Sequence, residues 1–357
     1  MEYLIFGVNL LWPLVMQFFF HKTITTGEMF ITVGLVLVLG LSSWMIGNHL
    51  DKLDVQIISG EVTGKKTVKV SCSHTYDCYC YDSCSGSGSS RSCTRVCQTC
   101  YEHSHHFHWD VYTSIGEFEI DRIDRQGEDE PPRWTQVKMN DPVARRVSFV
   151  NYIKVAPDSL FNNLKNVDAL PYVAQIPEYP VGIYDYYRID RAIQVGINIP
   201  DLKAYSVEIE NSLRTLGAAK QVNYVMVFVP GNYTQAFAET LKVKWLGGKK
   251  NDVIVVAAFD KYPASPKWVQ VVSWTDNNLY KVVLRDRLAA HPVWTPRSVV
   301  QIMNEETKAG FKRKSWEDFK DLENEYRPSA MVVWVTFVLM LLCNIGLTWF
   351  FHKNETV

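Results

Sequence analysis

Seven of the chain's eight cysteines fall between positions 72 and 100: Cys72, Cys78, Cys80, Cys84, Cys93, Cys97 and Cys100. Four of its nine histidines follow at once, as His103, His105, His106 and His108. Thiols and imidazoles at this density serve one of two chemistries. Zinc takes four soft or borderline donors in a tetrahedron, and a C-x-C or C-x2-C turn presents two thiolates to one ion. Cys78-Tyr79-Cys80 and Cys97-Gln98-Thr99-Cys100 are turns of that kind, separated by the flexible stretch SCSGSGSSRSC, so Cys78, Cys80, Cys97 and Cys100 are the candidate zinc ligands. The competing chemistry is disulfide bonding, the usual staple of a small loop-rich module in an oxidising space. Seven is odd. A pure disulfide scheme strands one thiol, whereas a metal site can complete itself with His103 or leave a cysteine idle, and a mixture of both remains open. Cysteine-rich metal sites are normally closed, which favours a structural role over a catalytic one. The histidines also read as a strand, with His106 and His108 on one face and His105 and Phe107 on the other.

Other chemistry is sparse. GGKK lacks the G-x4-G-K-[ST] spacing and follows a helix instead of opening one, so it is no phosphate loop. There is no G-x-S-x-G elbow and no Cys-His nucleophile pattern. His291 before Pro292 offers a general base, against the commoner role of a helix-end cap. Glu128, Asp129 and Glu130 sit in GEDEPPRW, which reads as a solvated turn because two prolines cannot donate ladder hydrogen bonds.

The elements that hold these residues are anchored at both ends. Residues 29–50 and 329–351 carry no Asp, Glu, Lys or Arg, and at about 1.5 Å per residue each covers a hydrocarbon core of about 30 Å. Residues 3–20 form a shorter apolar run containing Pro13 and are read as a third span. No basic n-region or cleavage site marks that run as a signal peptide. The loop 21–28 is too short for a domain, so residues 1–50 make a transmembrane hairpin. Three spans place the soluble body on the side of the N-terminus. The positive-inside counts conflict, Glu2, Lys22 and Lys353 pointing one way and the lysines and arginines at the domain ends the other. Long domains translocate despite such charges, so the expectation is an extracytoplasmic body and a cytoplasmic C-terminus. Ser43 and Gly47 make a small-x3-small helix contact suited to oligomerisation.

Between the anchors, residues 51–160 read as a β-rich module with the cysteine cluster inserted. Val55–Val70 is expected as a hairpin or meander around Ser-Gly and Thr-Gly, and 106–125 as two strands around Ser114 and Gly116. Residues 161–197 are an aromatic-rich connector. From 198 to 328 helices and strands alternate: a helix through Leu216 stopped by Gly217, the strand YVMVFV, a helix, the strand VIVVAAF, then a strand over 268–274 and helices over 279–288, 297–309 and 315–326. Strand, helix, strand is a βαβ unit with parallel strands. The whole is a membrane-anchored α+β chain, with three transmembrane helices, a small Cys/His module, an α/β/α sandwich and a tail at 352–357.

The runs VEIENSLRTLGAAKQVNYVMVFVP, TQAFAETLKVKWLGGKKNDVIVVAAF and AGFKRKSWEDFKDLENEY make residues 198–328 resemble the TPM domain, named after thylakoid-lumen phosphatase-like, photosystem II repair and neuronal membrane proteins. The resemblance implies a membrane-tethered extracytoplasmic domain, calcium-binding acids in some members and weak acid phosphatase activity in a few. Asn251-Asp252 replaces the family's Asn-Gly, and SWTDNN replaces its G-x-G strand ending, which weakens the case for phosphatase activity. Asp252, Asp260 and Asp276 lie at or beyond strand ends and supply three carboxylates toward a calcium site, with solvated loop acids as the alternative. IDRQGEDEPPRW and VNYIKVAPDSLF are similar to stretches of uncharacterised tailed-phage membrane proteins, which imply no activity.

Composition closes off one class. With 37 Lys+Arg against 38 Asp+Glu and no basic stripe, the electrostatic term that drives nucleic-acid binding is missing. The functional expectation is a membrane-tethered, non-enzymatic scaffold or binding protein with structural zinc or disulfides. Its partners would be the bilayer and a protein or a second copy. A metal-dependent phosphatase-like hydrolase is the alternative.

Overall fold

The computed structural model describes residues 2–86, 92–156, 168–183 and 188–354. Helix α1 (Glu2–Phe19) contains Pro13 and is followed by α2 (Thr26–Lys52), whose start is fixed by a capping box. Thr25 Oγ1 accepts from the Glu28 amide at 3.3 Å, while the Glu28 carboxylate accepts from the Thr25 amide at 2.7 Å. The helix begins three residues before the expected 29 because of this box.

Leu53 leaves α2 directly into β1 (Leu53–Ser71). The remaining strands of this module are β2 (Thr75–Ser85), β3 (Ser92–Tyr101), β4 (His105–Thr113), β5 (Gly116–Ile120) and, after the short helix α3 (Pro132–Gln136), β6 (Pro142–Val150). An antiparallel sheet runs β5-β4-β1-β6, and β2-β3 stands apart as a two-stranded ribbon. The hairpin expected within Val55–Val70 is not formed. β1 is one long strand that changes partner: Leu53–Glu61 pairs with β6, Val62–Ser71 with β4, and the register shifts between Val62 and Gly64. The glycines that suggested turns sit at this irregularity. Val62, Trp109, Val111, Ile120, Trp134 and Val143 form the module's core, with the Trp109 indole donating to Gly127 O at 3.1 Å.

The second module contains β7 (Ala192–Gln194), α4 (Leu202–Lys220), β8 (Asn223–Pro230), α5 (Ala236–Lys244), β9 (Asp252–Phe259), β10 (Trp268–Ser273), α6 (Asn278–Ala289) and α7 (Pro296–Gly310). Its sheet order is β10-β9-β8-β7, with β7, β8 and β9 parallel and β10 antiparallel. The β8-α5-β9 crossover is the expected βαβ unit. Alternation along the strands divides the apolar side chains between two cores. Tyr224, Met226, Phe228, Val253 and Val255 pack with Ile209, Leu284 and Met303 of α4, α6 and α7. Val225, Val227, Ile254 and Val256 face Phe237 and Leu241 of α5 and Ile176 of the connector. Strands buried on both faces read as continuous apolar runs, which is why these two were visible in the sequence.

Gly217 does not stop α4, which continues to Lys220. A Cβ there would lie 2.8 Å from Ser59 O, so the glycine lets the helix approach β1 closely. The two modules are joined at this seam. Arg191, 1% exposed, donates to Asn223 Oδ1 at 3.0 Å and to Ser59 Oγ at 2.7 Å, with Glu210 at 3.9 Å. Burial lowers its guanidinium to about 10, still charged at neutral pH. Asn251 Nδ2 donates to Ile57 O at 2.6 Å, and Lys249 meets Asp54 at 2.6 Å.

A 3-10 segment, Trp316–Glu325, stands where a helix was expected and leads to α8 (Ala330–Asn354). Of the described helices, α2 and α8 are long and apolar enough to cross a bilayer, whereas the apolar stretch of α1, Phe6–Phe19, is shorter. Ser43 and Gly47 make the small-residue contact, but inside the chain: Ser43 Oγ lies 2.9 Å from Thr336 Oγ1, and a Cβ on Gly47 would meet Val332 Cγ1 at 2.5 Å. α1 joins through Trp12 Nε1, which donates to Thr348 at 3.2 Å, and Asn344 Nδ2, which donates to Asn9 O at 3.0 Å. At the domain end, Asp51 accepts from the Ser329 amide at 2.7 Å and Tyr326 OH at 3.1 Å, and Lys52 pairs with Glu323.

Candidate metal centre at the root of the cysteine ribbon

The β2-β3 pairing decides what six of the cysteines do. Cys84 stands opposite Cys93, Cys80 reaches Cys97 within the register shift between Cys78 and Tyr81, and Cys78, opposite Gln98, reaches Cys100 diagonally. Three cystines result: Cys78–Cys100, Cys80–Cys97 and Cys84–Cys93, with Cα separations of 5.8, 4.0 and 3.9 Å. This corrects the first choice for Cys78, Cys80, Cys97 and Cys100. The antiparallel ladder places each thiol against one partner, so the sulfurs are bonded in pairs and are not thiolate ligands of a shared zinc ion.

The stranded seventh thiol is Cys72, which is buried and free. It follows the last residue of β1. His103 lies between β3 and β4, and His106, 5% exposed, is the second residue of β4, opposite Val70. One donor atom from each of Cys72, His103 and His106 lies within 4.8 Å of the others. The Glu102 amide donates to His74 O at 3.1 Å, closing the ribbon across this point. His74 Nδ1 is 3.9 Å from the Cys72 sulfur.

The imidazoles are unequally satisfied. His106 Nε2 is 2.9 Å from His108 Nε2, and His108 Nδ1 is 2.6 Å from the Glu119 carboxylate on β5. Both ring nitrogens of His103 and Nδ1 of His106 are buried with no hydrogen-bond partner. An unsatisfied buried polar atom costs roughly 1–3 kcal/mol, so orphaned imidazole nitrogens beside one thiol are costly unless something binds them. Burial first, then the Arg122 guanidinium, lowers the His106 imidazole from its ordinary value and so favours its neutral form. His108, Asp110 and Glu119 form an adjoining group of possible oxygen and nitrogen donors. The Asp110 carboxyl is raised by burial and by Glu119.

The aspartates expected to share calcium are not brought together. Asp252 opens β9 and Asp260 follows its other end, about 26 Å away at about 3.3 Å per residue. Asp252 is fully buried and accepts from Asn223 Nδ2 at 2.9 Å, the Lys249 amide at 2.6 Å and Tyr179 OH at 2.8 Å. Asp260 pairs with Lys267 at 3.5 Å, and Asp276 with Lys312 at 3.5 Å and Lys314 at 3.7 Å. These contacts give each aspartate a structural partner set of its own. The His291 amide closes the last turn of α6 on Leu288 O at 3.2 Å, as a helix end does.

The chain matches no family model, no curated protein and no solved structure.

Proposed function

We propose that the chain is a membrane-anchored, non-enzymatic binding protein that presents the β2-β3 ribbon to a protein partner on the extracytoplasmic side of a bilayer. The observation that carries this reading is the ribbon itself. It projects from the main sheet, is cross-linked three times, and exposes Tyr76, Tyr79, Tyr81, Val96 and Tyr101. Tyrosines give a large amphipathic contact area at low entropic cost, and cross-linking reduces the ordering penalty on binding. Cystines persist in oxidising compartments, which supports the extracytoplasmic placement. The TPM-like reading of the second module belongs to this proposal, supported by its parallel βαβ core with apolar clusters on both faces. So does the third span: α1 packs along both longer helices.

The test is photo-crosslinking from positions 79 and 81 in the cells that make the protein, with position 123 on an exposed loop as control. The expected result is a discrete adduct from the ribbon positions only. Adducts equal to the control, or none from the ribbon, would remove the proposal.

A second reading, hydrolysis of an anionic ester, is favoured by one feature. A cleft of about 890 Å³ beside β10 carries Lys242, Lys281, Arg285 and Lys314, against Glu239, Asp318 and Asp321. Burial and then Lys242 lower the Lys281 ammonium, so an anion there would be welcome. Turnover of a chromogenic phosphate ester that survives purification and falls in Lys281→Ala would promote this reading over the first.

A further inference from the structure

We propose that Cys72, His103 and His106 bind one zinc ion, which clamps the root of the ribbon to the main sheet. The inference stands apart from the partner-binding proposal, because it concerns what fixes the ribbon and not what the ribbon touches.

Three observations converge. The donor set is one thiol and two imidazoles whose ligand atoms already lie within 4.8 Å of one another, the composition borderline zinc prefers. Both histidines carry buried nitrogens without hydrogen-bond partners: His106 Nδ1, on a side chain 5% exposed, and the two ring nitrogens of His103. The third is the hydrogen-bond chain behind His106. With the Glu119 carboxylate accepting from His108 Nδ1–H, His108 Nε2 is left to accept from His106 Nε2–H, and His106 then has its lone pair on Nδ1. Carboxylate, imidazole and ligating imidazole in series is the outer-shell arrangement that fixes the tautomer of a metal-bound histidine. A merely packed histidine needs no such chain and would not leave its other nitrogen bare.

Position gives the ion a task. Cys72 and His103 sit on the two strands of chain that connect the ribbon to the body, and His106 sits on the body. An ion held by all three fixes the angle at which the ribbon leaves the sheet. Cys72 is also the cysteine left over when the other six of the cluster pair, and ligation would shield it from oxidation.

The test uses the full chain in detergent, produced under oxidising conditions without a histidine tag, stripped with EDTA and reloaded with Zn(II) or Co(II). Roughly one zinc ion per chain is expected. Zinc should slow alkylation of Cys72 about tenfold or more, EDTA should reverse this, and Co(II) should give a thiolate charge-transfer band. Cys72→Ser should abolish the band and His106→Ala the protection. His108→Ala, one step removed, should weaken zinc binding about 10–100-fold without removing it. Cys72→Ser is near-isosteric, so it keeps the test decisive if His106→Ala does not fold. Equal alkylation with and without zinc, or bound Co(II) lacking the thiolate band, overturns the proposal.

Discussion

At the scale of single residues, buried polar side chains are structural ties, and Asp252 shows how far that departs from a site role. Its carboxylate holds Asn223, the Lys249 amide and Tyr179 together inside the sheet end. Asp252→Ala should lower stability by about 3 kcal/mol, from roughly 1–3 for each orphaned buried donor with partial relaxation. Thermal melts in detergent would measure this, and an unchanged melting temperature would contradict it. Burial pushes this carboxyl above its ordinary value of 3.8. An acid whose folded value exceeds its unfolded one stabilises the fold most below the unfolded value, and that contribution is lost as pH rises through the folded value. The stability of the natural chain relative to Asp252→Asn should therefore fall as pH rises above about 4. A relative stability that stays constant or rises with pH contradicts the assignment. Arg191, bridging β1 and β8, is the stronger tie: Arg191→Met strips Glu210, Asn223 and Ser59 of a buried partner and should cost about 3–5 kcal/mol.

At the scale of elements, what the sequence makes legible depends on whether the signal is local. The β8-α5-β9 unit was readable because YVMVFV and VIVVAAF are buried on both faces and flank a periodic helix. β1 was not, because its two halves pair with strands 34–51 and 81–97 residues away, and its glycines mark a change of partner instead of a turn. β7, three residues long, carries too little pattern to notice. In the cysteine segment, parity announced a leftover thiol, but the register of β2 against β3 chose the pairs. Cys72 meets His106 only because β1 and β4 are antiparallel partners, a contact no spacing rule encodes. The α2-α8 seam gives a graded test of such non-local packing. At Gly47 an added Cβ meets branched Val332 at 2.5 Å, at Gly40 it meets the flexible Met340 sulfur at 2.7 Å, and at Gly34 nothing lies within 4 Å. Gly47→Ala should destabilise by about 1–3 kcal/mol, Gly40→Ala by less, and Gly34→Ala negligibly. Equal effects at 34 and 47 would mean the two helices do not pack as described.

At the scale of the molecule, the ends of the helices and the cystines make one joint statement about orientation. The C-terminal end of α2 and the N-terminal end of α8 meet the soluble body through Asp51, Lys52 and Ser329, while the α1-α2 turn and the end of α8 meet at the opposite pole, where Thr23 Oγ1 is 2.9 Å from His352 Nδ1. Both longer helices crossing a bilayer would separate those poles, and the proposed extracytoplasmic placement puts the cystine-bearing body on the oxidising side. Asn232 supplies an internal reporter, since Asn232-Tyr233-Thr234 is a glycosylation sequence and Asn232 is exposed in the turn after β8. Translated into sealed microsomes, the chain should carry a glycan that is lost in Asn232→Gln. Added protease should remove a C-terminal tag and leave the body intact. A digested body with a protected tag would invert the orientation, and with it the redox setting that keeps the ribbon cross-linked and leaves Cys72 as the one free thiol of the cysteine cluster.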